Sequence, residues 1–287
     1  MKKWIALLLM FALLLPLIPA TAETVIINKI TDPENDFEFP EDAKLLEIYW
    51  PKIYDCAAVY LEYGEYNMLF DCGGELWQET QKLLDRLGVT ELTYAFNSHP
   101  HSDHIGGYQH VLKKIPAKEF LLCFDEDSEY SNDLAFKVYD QLHAINIPFR
   151  RLYDGDTIEF GDVQISIMQR TDDDLTGNNR SAVMKVELGE RSFLFASDIQ
   201  AAAQLLYVAN QAPLKADILQ HPHHGYNIMQ YKFLEAVDPE LVIVTSMSAF
   251  AGGVKQLKSN DIAYHYTNLG IMHMTTDGNV WVIDRIK

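Results

Sequence analysis

Residues 97–107 constrain this chain more than any other segment, because they place three histidines and one aspartate within six positions. The segment reads Asn-Ser-His-Pro-His-Ser-Asp-His-Ile-Gly-Gly, and its candidate ligands are His99, His101, Asp103 and His104. Neutral imidazole and carboxylate are the usual protein ligands of zinc and related divalent ions, and four of them on one loop can reach two adjacent ions. The segment therefore predicts half of a site for two metal ions, to which the fold must bring further ligands.

Further candidates follow apolar runs that predict strands. Asp198 ends a strongly hydrophobic run, where a buried charge needs a partner. Asp71 ends another apolar run, in front of two glycines. A third run leads to His-Pro-His-His-Gly, in which we interpret His224 as the ligand, His223 as a residue that supports the ligands or faces the substrate, and His221 as structural.

Short apolar runs bounded by turn residues predict strands, and amphipathic runs between them predict helices. The two alternate along the chain, which favours an α+β fold with helices covering two packed sheets. A C-terminal hairpin is predicted at 270–286, with its turn at Asp277 and Gly278. The other predicted strands are 24–30, 45–50, 57–63, 67–71, 92–97, 119–123, 163–168, 182–188, 192–196, 218–220 and 241–245, and the predicted helices are 75–87, 108–114, 132–145 and 200–211.

The spacing His-x-His-x-Asp-His resembles the hallmark of the metallo-β-lactamase fold superfamily. The His-His-Gly segment resembles the ComEC-like branch of that superfamily, the hydrolase domain attached to bacterial DNA-uptake channels. It also resembles the choline-phosphate esterases that are built on the same fold. The resemblance runs from about residue 43 to residue 287. It implies a four-layer αββα sandwich and two divalent metal ions, with zinc the first expectation and manganese or iron the alternatives.

The resemblance also implies a role for each candidate. Asp71 would orient the histidine loop without touching a metal ion. Asp103 would bind metal and also hold the attacking hydroxide in line, so Asp71 and Asp103 are the predicted catalytic residues. The two implied ligand sets share Asp198 as a bridge, and they are His99, His101 and Asp198 for one ion and Asp103, His104, His224 and Asp198 for the other.

The segment before the strand that leads to Asp198 departs from the β-lactamases. Those enzymes carry a histidine ligand in this region, where the present chain has Asn178, Asn179 and Ser181. The Asn-Asn-x-Ser pattern matches the ComEC-like branch instead, which disfavours β-lactam hydrolysis and leaves one ion with an open position, as catalysis requires. Whether Asn179 or Ser181 contacts metal, substrate or neither stays open.

The N-terminal segment predicts export. A positive start is followed by an apolar run to Ile18, and Ala-Thr-Ala at 20–22 supplies the small residues of a cleavage site. We interpret residues 1–22 as a secretory signal peptide, residues 23–42 as a strand and an acidic linker, and residues 43–287 as one hydrolase domain. A retained membrane anchor is the weaker alternative, because the run is shorter than the ~20 residues that span a bilayer. We therefore expect a secreted or cell-envelope protein with no stable membrane anchor.

The charge of the chain bears on its partners. The formal net charge is −18, and loss of residues 1–22 removes two lysines and no acid, which makes it −20. Proteins that hold a phosphate backbone do so with clustered Lys and Arg, so nucleic acid is disfavoured as a partner, although bound metal ions would offset some charge locally. A small-molecule or cell-surface ester is the favoured substrate.

Together these observations predict an exported hydrolase with two metal ions, and they favour a phosphodiesterase. Two ions about 3.5 to 4 Å apart can share a bridging hydroxide and lower its pKa toward about 7. Two alternatives stay open. One is a nuclease, which the ComEC-like resemblance implies, and the other is a non-catalytic binding protein that contains metal.

Overall fold

The computed structural model describes residues 25–125 and 132–286, and the predicted signal peptide, residues 1–22, lies outside them. None of the helices in this described part is long and apolar enough to cross a membrane. The helices are α1 (Trp77–Arg86), α2 (Ser102–Ile105), α3 (Tyr108–Val111), α4 (Asp133–Ala144), α5 (Ala201–Ala209), α6 (Tyr231–Val237) and α7 (Gly252–Ser259). The strands are β1 (Val25–Asn28), β2 (Leu46–Trp50), β3 (Ala58–Tyr63), β4 (Tyr66–Cys72), β5 (Leu92–Asn97), β6 (Ala117–Leu122), β7 (Phe149–Arg151), β8 (Thr157–Ile158), β9 (Gln164–Met168), β10 (Val183–Leu188), β11 (Arg191–Phe195), β12 (Ile218–Gln220), β13 (Leu241–Val244), β14 (Ala263–Tyr266), β15 (Ile271–Thr276) and β16 (Val280–Ile286).

These strands form two sheets. The first has the order β1-β16-β15-β2-β3-β4-β5-β6-β7, and the second has the order β14-β13-β12-β11-β10-β9-β8. One cluster of buried side chains fills the space between the sheets, where Phe70 of β4 lies 5.1 Å from Phe195 of β11, measured between ring centroids. Two further clusters join the outer faces to helices. The predicted α+β fold, a four-layer αββα sandwich, is confirmed.

The strands in the middle of each sheet are apolar on both faces, because each face is covered. In β3, Val59 and Leu61 point into the core between the sheets, whereas Tyr60 belongs to the cluster under the helices. This two-sided burial explains why the sequence shows continuous apolar runs rather than a strict alternation.

Most predicted elements are present within a few residues of their predicted ends. The observed strands β5 and β12 begin and end at the predicted residues, 92–97 and 218–220. Strands β15 and β16 form the predicted C-terminal hairpin. Helix α3 ends at Val111, short of the predicted residue 114. Strand β1 pairs with β16 in parallel, so the first sheet includes residues outside the predicted 43–287 region. The missed elements are β7, β8, β14, α2, α6 and α7.

The topology brings the candidate ligands to one edge of the sandwich. Strands β4 and β5 are parallel neighbours in the first sheet, and β11 and β12 are parallel neighbours in the second. The loops after the carboxyl ends of parallel neighbours lie side by side, as in other α/β sheets. Residues 97–107 follow β5, Asp198 follows β11, and His224 follows β12.

Candidate metal centre

A buried carboxylate fixes the loop that carries the histidines. Oδ1 of Asp71 accepts hydrogen bonds from Nδ2 of Asn97 at 2.9 Å and from the backbone nitrogen of Ser98 at 2.8 Å. Oδ2 accepts from Oγ of Ser98 at 2.7 Å and lies 2.7 Å from Nδ1 of His104. With Nδ1 engaged by Asp71, the His104 ring directs Nε2 toward Asp198, 3.2 Å from its Oδ1.

The two glycines after the histidines let the loop lie against the end of β4. A Cβ atom at Gly107 would overlap the carbonyl oxygen of Cys72, and one at Gly106 would lie within about 2.5 Å of the carbonyl oxygen of Ser102. The backbone nitrogen of Gly107 donates to the carbonyl oxygen of Gly73 at 2.8 Å. The Gly-Gly pair therefore holds the histidine loop beside Asp71 by close backbone contact.

The first ligand group contains Asp103, His104, Asp198 and His224, whose ligand atoms all lie within 4.8 Å of one another. Nε2 of His224 lies 3.0 Å from Oδ2 of Asp103 and 3.6 Å from Oδ2 of Asp198. Its Nδ1 lies 2.7 Å from Oγ1 of Thr245, so a neighbouring side chain orients this ring as well. Sequence reasoning missed Thr245, because nothing in a strand-terminal threonine marks it as the partner of a distant histidine.

The second ligand group contains His99, His101 and Asp198, again within 4.8 Å. Nε2 of His99 lies 3.1 Å from Nδ1 of His101 and 3.8 Å from Oδ2 of Asp198. Nδ1 of His99 faces Oγ of Ser98 at 3.0 Å. Asp198 belongs to both groups, so one carboxylate lies between two places where a cation fits.

The buried atoms of this centre fit a metal ion. Nε2 of His104 and Oδ1 of Asp198 face each other at 3.2 Å, and both are buried without a hydrogen-bond partner. Buried polar atoms are rarely left unsatisfied. A cation between these two atoms would satisfy both, and the mixture of imidazole nitrogen and carboxylate oxygen suits zinc, manganese or iron.

The carboxylates of the centre and His99 have protonation states that suit ligation. Burial alone would raise the pKa of Asp198, but the imidazoles of His104 and His224 hold that pKa well below its usual value. Burial would likewise raise the pKa of Asp103, but the hydrogen bond with His224 lowers that pKa. Burial, reinforced by the neighbouring His104, lowers the pKa of His99 and keeps its ring neutral. Burial alone would lower the pKa of His104, but the carboxylates of Asp198 and Asp71 raise it well above its usual value, so a cation that binds its Nε2 would displace a proton. The centre thus offers anionic carboxylates and a neutral His99, while His104 loses a proton when it binds metal.

His223 lies at the edge of the centre, outside both ligand groups. It is half-buried, and its Nε2 lies 4.0 Å from Oδ2 of Asp198. Its ring nitrogens contact the side-chain amides of Asn178 and Gln200, each at 3.2 Å. His223 and His224 both have left-handed backbone angles, φ 48° and 58°. Such strain persists only where the surroundings impose it, and here it turns the two adjacent rings in different directions.

Of the two predicted neighbours of the centre, Asn179 has a structural role. Oδ1 of Asn179 accepts from the backbone nitrogens of Gln200 and Ala203, both at 3.1 Å, and so caps the start of α5. Ser181 is fully buried, and its Oγ has no hydrogen-bond partner. His221 is buried too, and burial lowers its pKa to about 4, so the ring is a neutral packing group.

Two cavities flank the exposed side of Asp103. One has a volume of about 690 Å³, with Tyr54, Asp55 and Trp77 in its walls. The other, of about 600 Å³, is lined by the Ser102–Asp103 turn and the start of α4. Sequence reasoning missed these wall residues, because they carry no ligand spacing and only the fold brings them beside the centre.

Comparison with known proteins agrees with the fold. A family model described as Metallo-beta-lactamase superfamily matches residues 53–245. The chain belongs to this superfamily, whose members are in general metal-dependent hydrolases with two metal ions.

One related protein is ComE operon protein 3 of Bacillus subtilis (strain 168), which is 25% identical over 200 residues. The match covers 63% of this chain and 25% of the relative, so the chain spans a quarter of that protein's length.

Among solved structures, CmlA, a diiron β-hydroxylase from Streptomyces venezuelae, has a TM-score of 0.51 and 12% identity over 83% of this chain and 55% of its own. The metallo-β-lactamase fold protein YhfI of Bacillus subtilis has a TM-score of 0.49 and 12% identity, over 78% and 96% of the two chains. At 12% identity, the likeness to CmlA shows the fold alone.

Proposed function

We propose that this chain is an exported phosphodiesterase in which each ligand group holds one divalent metal ion. One observation carries the proposal: the buried carboxylate of Asp198 belongs to both ligand groups. Two cations that share a ligand form a clamp suited to in-line displacement at phosphorus.

When bound, the metal ions would supply Lewis-acid stabilisation of charge on the phosphate oxygens and an activated water at neutral pH. The protein residues do the positioning. Asp71 and Thr245 hold the Nδ1 atoms of His104 and His224, so both Nε2 atoms stay directed at the carboxylates. His101 and Asp103 are the partly exposed members of the two groups, so substrate approaches from their side.

Three features favour a small phosphodiester over a β-lactam or duplex DNA. Among the described residues, the ligand group of His99, His101 and Asp198 contains no third histidine, in contrast to the set implied for β-lactamases. The flanking cavities have the size of small-molecule sites. The strongly negative net charge also opposes the approach of a polyanion.

The nuclease remains a second candidate, because the ComEC-like resemblance of the His-His-Gly segment implies it. DNA therefore belongs among the tested substrates. Failure of every ester and of DNA, with two metals bound, would favour a non-catalytic binding protein.

The decisive experiment is a substrate panel on purified protein reconstituted with zinc, manganese or iron. Iron is included because imidazole and carboxylate ligands also bind iron. We expect bis-p-nitrophenyl phosphate to be hydrolysed much faster than nitrocefin or duplex DNA, and the activity to be lost in Asp198→Ala. Efficient cleavage of duplex DNA at physiological salt, lost in the same variant, would instead favour the nuclease.

Export rests on residues 1–22 and has its own test. We expect the protein to be released from cells with a mass that corresponds to a chain starting at Glu23. A full-length chain retained inside the cell would contradict this part of the proposal.

A further inference from the structure

One buried hydroxyl lies between the carboxylate that orients the first ligand group and a histidine of the second. Ser98 is fully buried, and its Oγ lies 2.7 Å from Oδ2 of Asp71 and 3.0 Å from Nδ1 of His99. Nδ1 of His104 lies 2.7 Å from the same carboxylate oxygen. Asp71 therefore contacts one ligand group directly, through His104, and the other through the hydroxyl of Ser98.

The hydrogen count of this chain of contacts fixes its direction. A serine hydroxyl has one hydrogen to donate and two lone pairs that accept. Oγ of Ser98 donates its hydrogen to Oδ2 of Asp71, so toward His99 the same oxygen can only accept. Nδ1 of His99 must then carry the ring hydrogen of the neutral imidazole. The lone pair of this ring is left on Nε2, the atom that faces Asp198 at 3.8 Å.

The other tautomer of His99 also has a partner within reach. Nε2 of His99 lies 3.1 Å from Nδ1 of His101, so a hydrogen on Nε2 could be donated there. A ring in that state would have no lone pair for a cation at Nε2. Nδ1 of His99 and Oγ of Ser98 would also face each other as two acceptors, unless the hydroxyl gave up its bond to Asp71. The contact with Ser98 therefore decides between the two tautomers.

We propose that Ser98 is a positioning residue, which extends the hold of Asp71 to His99 and keeps Nε2 of His99 free for the ion of the second ligand group. The inference rests on the metal centre of the proposed function and adds to it the residue that sets a ligand tautomer. One carboxylate then prepares both groups. Loss of the Ser98 hydroxyl affects only the group of His99, because Asp71 keeps its direct contact with His104.

The first test reads the tautomer without metal and without catalysis. Long-range ¹H–¹⁵N correlation spectra of the full chain, freed of metal with EDTA and recorded at pH 8, show which ring nitrogen of each neutral histidine carries hydrogen. The spectrum of His99→Gln identifies the signals of His99. We expect the hydrogen on Nδ1 in the unaltered protein and a shift toward Nε2 in Ser98→Ala. Hydrogen on Nε2 in the unaltered protein would overturn the inference.

The second test measures the zinc affinity of the two ligand groups separately. Each variant is dialysed against a series of zinc concentrations, and His101→Ala marks the loss of the second group alone. Ser98→Ala should bind one ion like the unaltered protein and the other roughly 10- to 100-fold more weakly, the usual effect of losing a partner of a ligand. Ser98→Thr keeps the hydroxyl and should restore the affinity. Equal weakening of both ions, or of neither, contradicts the proposed role.

Ser197 supplies the matched control. It is also fully buried and directly precedes a ligand, Asp198, but its Oγ donates to the backbone carbonyl oxygen of Ala182 at 2.6 Å. Ser197→Ala should leave the tautomer of His99 and the affinity of the second group unchanged. A loss of the second ion as large as in Ser98→Ala would show a general effect of removing a buried hydroxyl. Because neither test uses a substrate, failure to hydrolyse any ester refutes the proposed function without affecting this inference.

Discussion

At the residue scale, two aspartates with the same functional group occupy different surroundings. Asp198 lies among four imidazoles of the centre and retains a buried oxygen with no hydrogen-bond partner. Asp71 has both oxygens engaged by Asn97, Ser98 and His104. A carboxylate with free acceptor capacity suits a cation, whereas one that is already satisfied suits the task of holding a ring in place.

Asp198→Ala should therefore reduce the metal content from close to two ions per chain to at most one, and abolish activity. Asp71→Asn should keep two sites and weaken metal affinity by roughly 10- to 100-fold, the usual effect of losing a partner of a ligand. Asparagine tolerates the left-handed backbone of Asp71, φ 53°. Elemental analysis of both variants, after dialysis against a series of zinc concentrations, measures the metal content and checks both predictions. Equal metal loss in the two folded variants would refute the assigned roles.

A histidine away from the centre predicts a pH dependence of stability. His273 is partly buried, with Nε2 3.1 Å from Oε1 of Glu47 and Nδ1 3.4 Å from Oδ1 of Asp284. Burial alone would lower its pKa, but the hydrogen bonds to Asp284 and Glu47 raise it to about 9 from an ordinary value of 6.5. The protonated ring therefore stabilises the fold below about pH 6.5, and this contribution disappears as the pH rises through 9.

Replacing this residue should remove that dependence. We expect His273→Gln to lower the free energy of unfolding by roughly 2 to 3 kcal/mol at pH 6 and by much less at pH 10. Urea unfolding of both proteins at pH 6, 8 and 10 measures the difference. A difference that stays constant across this range would show that the charge of His273 contributes nothing.

At the element scale, the junction between the histidine loop and α3 depends on a missing side chain. Gly107 has helical backbone angles, φ −67° and ψ −25°, at which alanine would ordinarily stabilise a helix. The tertiary contact reverses this preference, because a Cβ there would overlap the carbonyl oxygen of Cys72. The packing of the loop onto β4 thus outweighs helix propensity.

Gly107→Ala should lower the free energy of unfolding by about 3 kcal/mol or more, because backbone must move to accept the methyl group. Gly64→Ala is the matched control, since its turn has φ +59° and open space around the added Cβ. Gly64→Ala should lower the free energy of unfolding by only about 1 kcal/mol, because alanine is strained in the left-handed backbone. Chemical denaturation of both variants gives the two values. A smaller cost at Gly107 than at Gly64 would contradict the packing argument.

At the scale of the whole molecule, the centre joins the two sheets. Its histidine loop follows β5 of the first sheet, whereas Asp198 and His224 follow β11 and β12 of the second. Bound cations would link these two halves, and any ligand that binds only the folded protein stabilises it.

Metal removal should therefore lower the melting temperature. At free metal concentrations 100 to 1,000 times the dissociation constant, binding stabilises by about 3 to 4 kcal/mol, which corresponds to roughly 10 °C for a domain of this size. Calorimetry with and without EDTA, followed by zinc addition, measures the shift. EDTA should lower the melting temperature of Asp198→Ala by less than it lowers that of the unaltered protein. An unchanged melting temperature after EDTA treatment of a metal-loaded protein would count against cations that link the sheets.

The sequence by itself predicted what depends on short stretches of chain. Apolar runs long enough to be buried predicted most strands, and the ligand spacing at 97–107 predicted the loop that carries His99 and His104. The elements that escaped prediction are short, such as β8 and α6, or mixed in polarity, such as β14. Their conformation depends on neighbours in space, which a local pattern does not contain.

The tertiary structure alone decided which side chains meet. Adjacent histidines in one segment separate because strained backbone directs His224 into a ligand group and leaves His223 at the edge. Asn179 caps a helix, and Asp55 and Trp77 line a cavity beside Asp103, although they are far apart in the chain. Burial, distance and ring orientation arise from contacts between distant segments, and for that reason the composition of the cavity could not be read from the sequence.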